Sequence, residues 1–167
     1  MGIHEHKKHA PRAIDLAVLS VSSTRTLEND ESGHWIRSRA EKEGHAVILH
    51  RVVNDDVVAV ADGIERCVAD KKIRAVIVTG GTGVAPKDVT IEAARPKFAK
   101  ELTAFSALFA QLSFEQIGAA ALLSRSAAGL IGDTFVFCIP GSLGACKLAC
   151  EKLIFPELGH LIKHASE

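Results

Sequence analysis

Residues 76–88, Val76-Ile-Val-Thr-Gly-Gly-Thr-Gly-Val-Ala-Pro-Lys-Asp88, carry a short apolar run that breaks into three glycines before reaching a lysine and an aspartate. The apolar run predicts a buried strand. Glycine lacks a Cβ, so the loop behind the strand can bring backbone N–H groups close to an anionic ligand. One turn further on, Asp88 offers a carboxylate suited to the cation that accompanies phosphates. The same residues can also make no more than a tight turn. Neither common phosphate loop fits. A P-loop needs Gly before its Lys and Ser or Thr after it, whereas Lys87 lies between Pro86 and Asp88. A dinucleotide fingerprint through Gly81 and Gly83 needs its third glycine at position 86, again Pro86.

Outward from this loop, strands alternate with helical patterns. Ile14 to Val21 reads as a buried strand followed by the polar loop Ser22-Ser-Thr-Arg-Thr-Leu27, and a helix is predicted from near Ser32 to Gly44. Ala46 to Val53 is a second strand. Asp55 or Asp56 can cap a helix whose apolar positions Val57, Val60, Ala61, Ile64, Cys67 and Val68 follow the helical period. Arg74 to Thr79 is the third strand. Glu101 to Gln116 is helical in composition, with Leu102, Phe105, Leu108, Phe109 and Leu112 expected on one side. The state of Ala119 to Ile131 is open at this level. Gly132-Asp133 reads as a hairpin turn into a strand at Thr134–Ile139. A helix carrying Leu143, Cys146, Cys150, Leu153 and Ile154 follows, and Pro156 is expected to interrupt it before a final short helix. The pattern predicts an α/β fold with a mostly parallel central sheet, one antiparallel strand pair and helices on both faces. In such sheets ligands bind beyond the carboxyl ends of the strands. Four polar loops occupy that edge, at residues 22–26, 54–56, 80–88 and 140–144, and their convergence favours a phosphate site over a mere turn.

Composition excludes several classes of function. At 167 residues the chain is long enough for one well-buried domain, and 47% hydrophobic with 24% charged residues is ordinary for a globular protein. Twenty basic and twenty acidic residues cancel, leaving no bulk charge to favour nucleic acid or an anionic membrane. No apolar run approaches the roughly 18–20 residues of a membrane span. The polar start, Met-Gly-Ile-His-Glu-His-Lys-Lys-His9, has no signal-peptide core, and the cytoplasm is the expected location. Cys67, Cys138, Cys146 and Cys150 lack the paired spacing of a zinc site and read as buried apolar residues. His4, His6 and His9 fall in what reads as a solvated tail over residues 1–12.

Four segments carry a family resemblance: Thr79-Gly-Gly-Thr-Gly-Val-Ala-Pro-Lys-Asp-Val-Thr90, Val53-Asn-Asp-Asp56, Leu123-Ser-Arg-Ser126 and Pro140-Gly-Ser-Leu-Gly-Ala145. In this order and spacing they resemble the MogA/MoaB family of molybdenum cofactor biosynthesis, over roughly residues 13 to 162. Leu27 to Gly33 and the ending Glu157-Leu-Gly-His160 are more similar to the MoaB branch. The resemblance implies a three-layer α/β/α domain over residues 13–167 that assembles as a trimer or hexamer. It implies adenylylation of molybdopterin by Mg-ATP, giving adenylylated molybdopterin and pyrophosphate. The family's two functional aspartates fall on Asp55 and Asp88, the expected catalytic and magnesium-binding pair. Gly80, Gly81, Thr82 and Gly83 fall on the loop that holds the pterin or its phosphate, Ser124 on a serine of the pterin site, and Ser142 and Gly144 on the second glycine loop.

The chemistry agrees with these types of residue. Attack by a terminal phosphate on the α-phosphorus of ATP gathers negative charge, and catalysis is mostly positioning and neutralisation. Magnesium takes one or two carboxylates plus phosphate oxygens. Some positions depart from the family pattern. Ser23 stands where aspartate is usual, Asn54 and Ile91 where proline is usual, and Leu143 where proline is frequent. Leu102-Thr-Ala-Phe-Ser-Ala-Leu108 replaces a segment that usually reads Pro-Gly-Phe-Gly-Glu and helps build the pterin side of the pocket. The first expectation is therefore a molybdopterin adenylyltransferase. The alternatives are a non-catalytic MoaB-type protein that binds pterin or nucleotide, and an interaction scaffold on the same fold.

Overall fold

The computed structural model describes residues 10–167. Its centre is a six-stranded sheet built from β1 (Asp15–Val21), β2 (Ala46–Val53), β3 (Ala75–Thr79), β4 (Lys100–Glu101), β5 (Ala127–Ile131) and β6 (Thr134–Ile139), in the order β2-β1-β3-β6-β5-β4. Strands β2, β1, β3 and β6 are mutually parallel. The Gly132 turn, with φ +57°, reverses the chain so that β5 runs antiparallel to β6. The two-residue β4 then pairs antiparallel with β5. The expected hairpin is present, with one further short pairing at its edge.

Side chains alternate across the sheet, and both faces are covered. Leu16 and Val18 enter a core with Ile36, Phe105, Phe109, Phe137, Leu158 and Ile162. Ala17, Leu19 and Val21 enter the opposite core with Val60, Ile64, Cys67, Ile91 and Val136. The first face carries α1 (Glu31–Lys42), α4 (Thr103–Ile117), α5 (Leu143–Ala149) and α6 (Phe155–Ser166), and the second carries α2 (Val57–Ala69) and α3 (Thr90–Ala94). This is the three-layer arrangement. All four cysteines are free and buried, and burial pushes the thiols of Cys67 and Cys138 up to about 11 and about 12.

Three local expectations change. Pro156 does not interrupt the last helix. A π-helical turn over Cys150–Ile154 joins α5 to α6 and absorbs the register change, so Pro156 falls at the start of α6 where no helical N–H bond is required. The apolar side predicted for α4 divides: Phe105 and Phe109 are buried, whereas Leu108 is exposed. This helix is apolar all round, so periodicity cannot assign its face. With the 3-10 turn over Gly118–Leu123 it also gives a stretch, Thr103–Leu123, whose 21 residues are long and apolar enough to cross a membrane by length and composition. This corrects the expectation that no apolar run approaches a membrane span, which Gln111, Ser113, Glu115 and Gln116 had suggested by punctuating the stretch. The tail histidines His4, His6 and His9 lie outside the described residues.

Candidate functional site

The strand order reverses between β1 and β3. The chain leaves β1 toward β2 on one side, while β3 and β6 lie on the other. Loops diverge at such a point and leave a crevice beyond the carboxyl ends of the strands. Here the crevice is a cavity of about 320 Å³, lined by Ser22, Thr24 and Arg25 after β1, by Gly80–Gly83 and Asp88 after β3, and by Pro140 and Gly141 after β6.

The wall after β3 is set by backbone conformation. Gly80 and Gly81 have φ of +96° and +66°, and a Cβ at Gly80 would stand 2.5 Å from the Val21 carbonyl oxygen. Only glycine enters that conformation at low cost. Buried Thr90 ties the loop to α3, its Oγ1 donating to the Gly80 carbonyl at 2.7 Å and its N–H to the Gly81 carbonyl at 2.9 Å. Arg125 holds the next two carbonyls, its Nε donating to Thr82 O at 2.9 Å and Gly83 O at 3.0 Å while its Nη atoms grip Glu92. The Arg125 hydrogen bond pulls the Glu92 carboxyl below the usual carboxylate range. With the carbonyls occupied, the N–H groups of Gly81, Thr82 and Gly83 donate to no acceptor among the described residues. Three successive free donors on the wall of a cavity form an anion cradle.

Asp88 has two relations to that cradle. Its Oδ2 accepts from the Ala85 N–H at 2.8 Å, closing the turn, and its carboxylate presses against Gly83, where a Cβ would stand 2.6 Å from Oδ2. Asp88 lines this cavity and also an adjoining one of about 450 Å³ beside Glu92 and Arg125. Between the two candidates for helix cap, Asp56 takes the role, its Oδ1 accepting from Ala59 N–H at 2.8 Å. Asp55 is thereby released from capping, and its Oδ2 accepts from Ser23 Oγ at 3.1 Å. Ser23 thus links the loop after β1 to the loop after β2.

The wall after β1 is held from behind by a buried carboxylate that carries no sequence motif. Asp30 is 0% exposed. Its oxygens accept from Ser20 Oγ at 2.5 Å and Gly33 N–H at 3.1 Å, and the His50 ring meets Oδ2 at 2.7 Å. Burial raises the carboxyl's pKa, yet the bonds from His50, Ser20 and Gly33 together outweigh it and hold the group below its ordinary range. Asp30 also caps α1, whose Ser32 Oγ donates to Gly141 O at 2.8 Å. Arg25, 3.9 Å from Asp30 Oδ1, reaches Gly141 O at 3.5 Å.

The remaining expected residues take different places. Ser124 ends the 3-10 turn over Gly118–Leu123, and its neighbours Leu123 and Arg125 line the two cavities while Ser124 lines neither. Ser142 caps α5, its Oγ accepting from Ala145 N–H at 3.3 Å. A Cβ at Gly144 would meet open space, whereas one at Gly141 would stand 3.1 Å from Gly80 Cα. The glycine that lets the two loops approach is therefore Gly141. In the altered segment, Ser106 Oγ donates to Ser126 O at 2.9 Å and ties α4 to the start of β5.

Residues 17–160 match the sequence family described as a probable molybdopterin binding domain. Molybdenum cofactor biosynthesis protein B of Bacillus subtilis (strain 168) is 45% identical over 164 residues, covering 98% of this chain and 96% of that protein. A crystal structure of Molybdenum cofactor biosynthesis protein B superposes with a TM-score of 0.91 at 38% identity, over 95% of this chain and 99% of the other. The tungsten cofactor synthesizing protein MoaB from Pyrococcus furiosus gives 0.84 at 35% identity, over 95% and 100%.

Proposed function

This chain belongs to the molybdopterin-binding domain family of MoaB and MogA proteins, and from that premise we propose that it adenylylates molybdopterin with Mg-ATP in molybdenum cofactor biosynthesis. The observation that carries the reading is the cavity at the strand-order reversal, with free N–H donors on Gly81, Thr82 and Gly83 and the Asp88 carboxylate on one wall. The glycine loop receives the phosphate of the pterin. Arg25 offsets charge from the opposite wall, and the Ser22–Arg25 loop orients the second anion. Asp55 and Asp88 would hold the magnesium that accompanies ATP, which neutralises the phosphates; two hard oxygen donors plus substrate phosphates match its preference. No group of three or more His, Cys, Asp or Glu converges among the described residues, so substrate oxygens complete the shell. Binding both reactants on one rigid edge converts a bimolecular encounter into an oriented one.

A homo-oligomer, a trimer or hexamer, is part of the same proposal. Phe114, Ile117, Leu122 and Leu123 are 52–85% exposed along Thr103–Leu123, and Leu123 also lines the cavity. A second copy covering this face would complete the site's rim; Leu122→Glu should then lower the mass seen by light scattering.

The test is pyrophosphate release from Mg-ATP by the purified protein. Release that requires molybdopterin supports the transferase. Tight binding of both ligands without release would instead favour the non-catalytic binding protein, for which the altered 103–107 segment speaks.

A further inference from the structure

Far from the glycine loops, α6 presents two imidazoles one turn apart. His160 and His164 approach with their Nε2 atoms 2.9 Å apart and ring centroids 4.6 Å apart. Each has a carboxylate behind it: Glu157 Oε2 lies 3.0 Å from His160 Nδ1, and Glu167 Oε2 lies 3.3 Å from His164 Nδ1. The Glu157 carboxylate favours the proton on His160 Nδ1, which leaves His160 Nε2 as the acceptor of a hydrogen bond from His164 Nε2. A metal ion that displaces the bridging proton would take both Nε2 atoms as ligands without moving the helix. With metal–nitrogen bonds of about 2.0–2.1 Å, two ligands at a right angle stand about 2.9 Å apart, and two tetrahedral ligands about 3.4 Å apart. The observed spacing matches the right-angled, tetragonal case, which nickel(II) and copper(II) favour.

A second observation lies in the adjoining cavity of about 400 Å³, shared by His160 with Arg12, Glu43 and His45. His45 Nδ1 is buried there with no hydrogen-bond partner. Burial also pushes the His45 imidazole below its ordinary value, so it stays neutral and keeps a lone pair. We propose that His160 and His164 form a bidentate chelate for a divalent late transition-metal ion of the nickel or copper type, at the end of the sheet away from the glycine loops. The position follows from Arg74, which precedes β3 and donates to Ser166 Oγ at the end of α6. Water fills the other coordination positions. Glu157 acts as a positioning residue that fixes the His160 tautomer, and Lys163, 3.9 Å from Glu167 Oε1, stays paired with a carboxylate.

The experiment is calorimetric titration of the full-length, chelator-treated protein with Ni²⁺ alone, with His ring signals followed by NMR. One ion per chain is expected, with His160 and His164 broadening first. The double variant His160→Gln/His164→Gln should weaken binding at least about tenfold, with circular dichroism confirming an intact fold. His4→Ala/His6→Ala/His9→Ala, which removes the tail imidazoles, should keep the wild-type affinity. The inference is overturned if the double variant binds as tightly as wild type, or if only the tail variant loses the ion. It is also overturned if the wild type binds no Ni²⁺, in which case a shared proton joins the two rings.

Discussion

The two loops that face each other across the cavity are rigid for different reasons. The loop after β3 is held by its own backbone: left-handed glycines, a buried threonine and an arginine that occupies its carbonyls. The loop after β1 contains no glycine between Ser22 and Asn29 and is exposed along most of its length. Its anchor is remote, a buried carboxylate with partners on β1, β2 and α1. A conformational anchor acts at any pH, whereas a charged one depends on protonation. The difference predicts that acid loosens the wall after β1 more than the wall after β3, where the carboxylates of Glu92 and Asp88 only supplement the glycine backbone.

Five substitutions, one of them read through an acid titration, would break or sharpen this contrast. Gly80→Ala should have the largest effect, because a Cβ there meets the Val21 carbonyl at 2.5 Å. A loss of about 4 kcal/mol in denaturant unfolding is expected from the forced backbone shift, together with loss of phosphate binding. Asp30→Ala should cost about 3 kcal/mol, since it strands the Ser20 hydroxyl, the Gly33 N–H and His50 in a buried space. Hydrogen exchange should then rise in residues 22–29 while the hydrogen-bonded amides of Gly80, Ala85 and Asp88 keep their protection. Equal loosening of both loops would show that they share one anchor.

The acid response comes next in size. The Asp30 carboxyl is depressed in the folded protein, so its stabilisation is complete above the unfolded value near 3.8 and fades as pH falls through the lower folded value. Unfolding free energy should decline below about pH 4 in the wild type, and the contribution from this site should be missing in Asp30→Asn. Arg125→Met, which frees the Thr82 and Gly83 carbonyls on a half-exposed clamp, should cost about 1 kcal/mol and raise KM for the anionic substrates more than it lowers stability. Ser23→Ala should be the mildest, within about 0.5 kcal/mol in stability, because its bond to Asp55 is exposed. A shift in nucleotide KM is its expected signature.

The contrast also explains what could be read before the fold was known. Elements with a strong period or punctuation were legible: β2, the helix after Asp56 and the hairpin at Gly132 all fall where hydrophobic pattern and turn chemistry place them. The glycine loop's conformation was legible because left-handed backbone is a local property that glycine records in sequence. The Asp30 anchor was not, since Ser20, Asp30 and His50 meet only once β1, β2 and α1 are packed. The same holds for the Arg125 clamp, which spans more than forty positions, and for Gly141, whose need for a missing Cβ arises from Gly80 on another strand end. Pro156 misled because a π turn can absorb a register change that sequence periodicity does not display.

The most direct test is transfer of a labelled adenylyl group from ATP to molybdopterin, comparing the wild type with Asp55→Asn and Asp88→Asn. Asparagine keeps an oxygen that can accept from Ser23 Oγ and from Ala85 N–H, so both loops stay closed while the charge is lost. Magnesium-dependent transfer in the wild type, reduced at least about hundredfold in each variant with the fold and the molybdopterin affinity retained, is the predicted result. Wild-type rates in the double variant would contradict it and reduce both aspartates to loop staples.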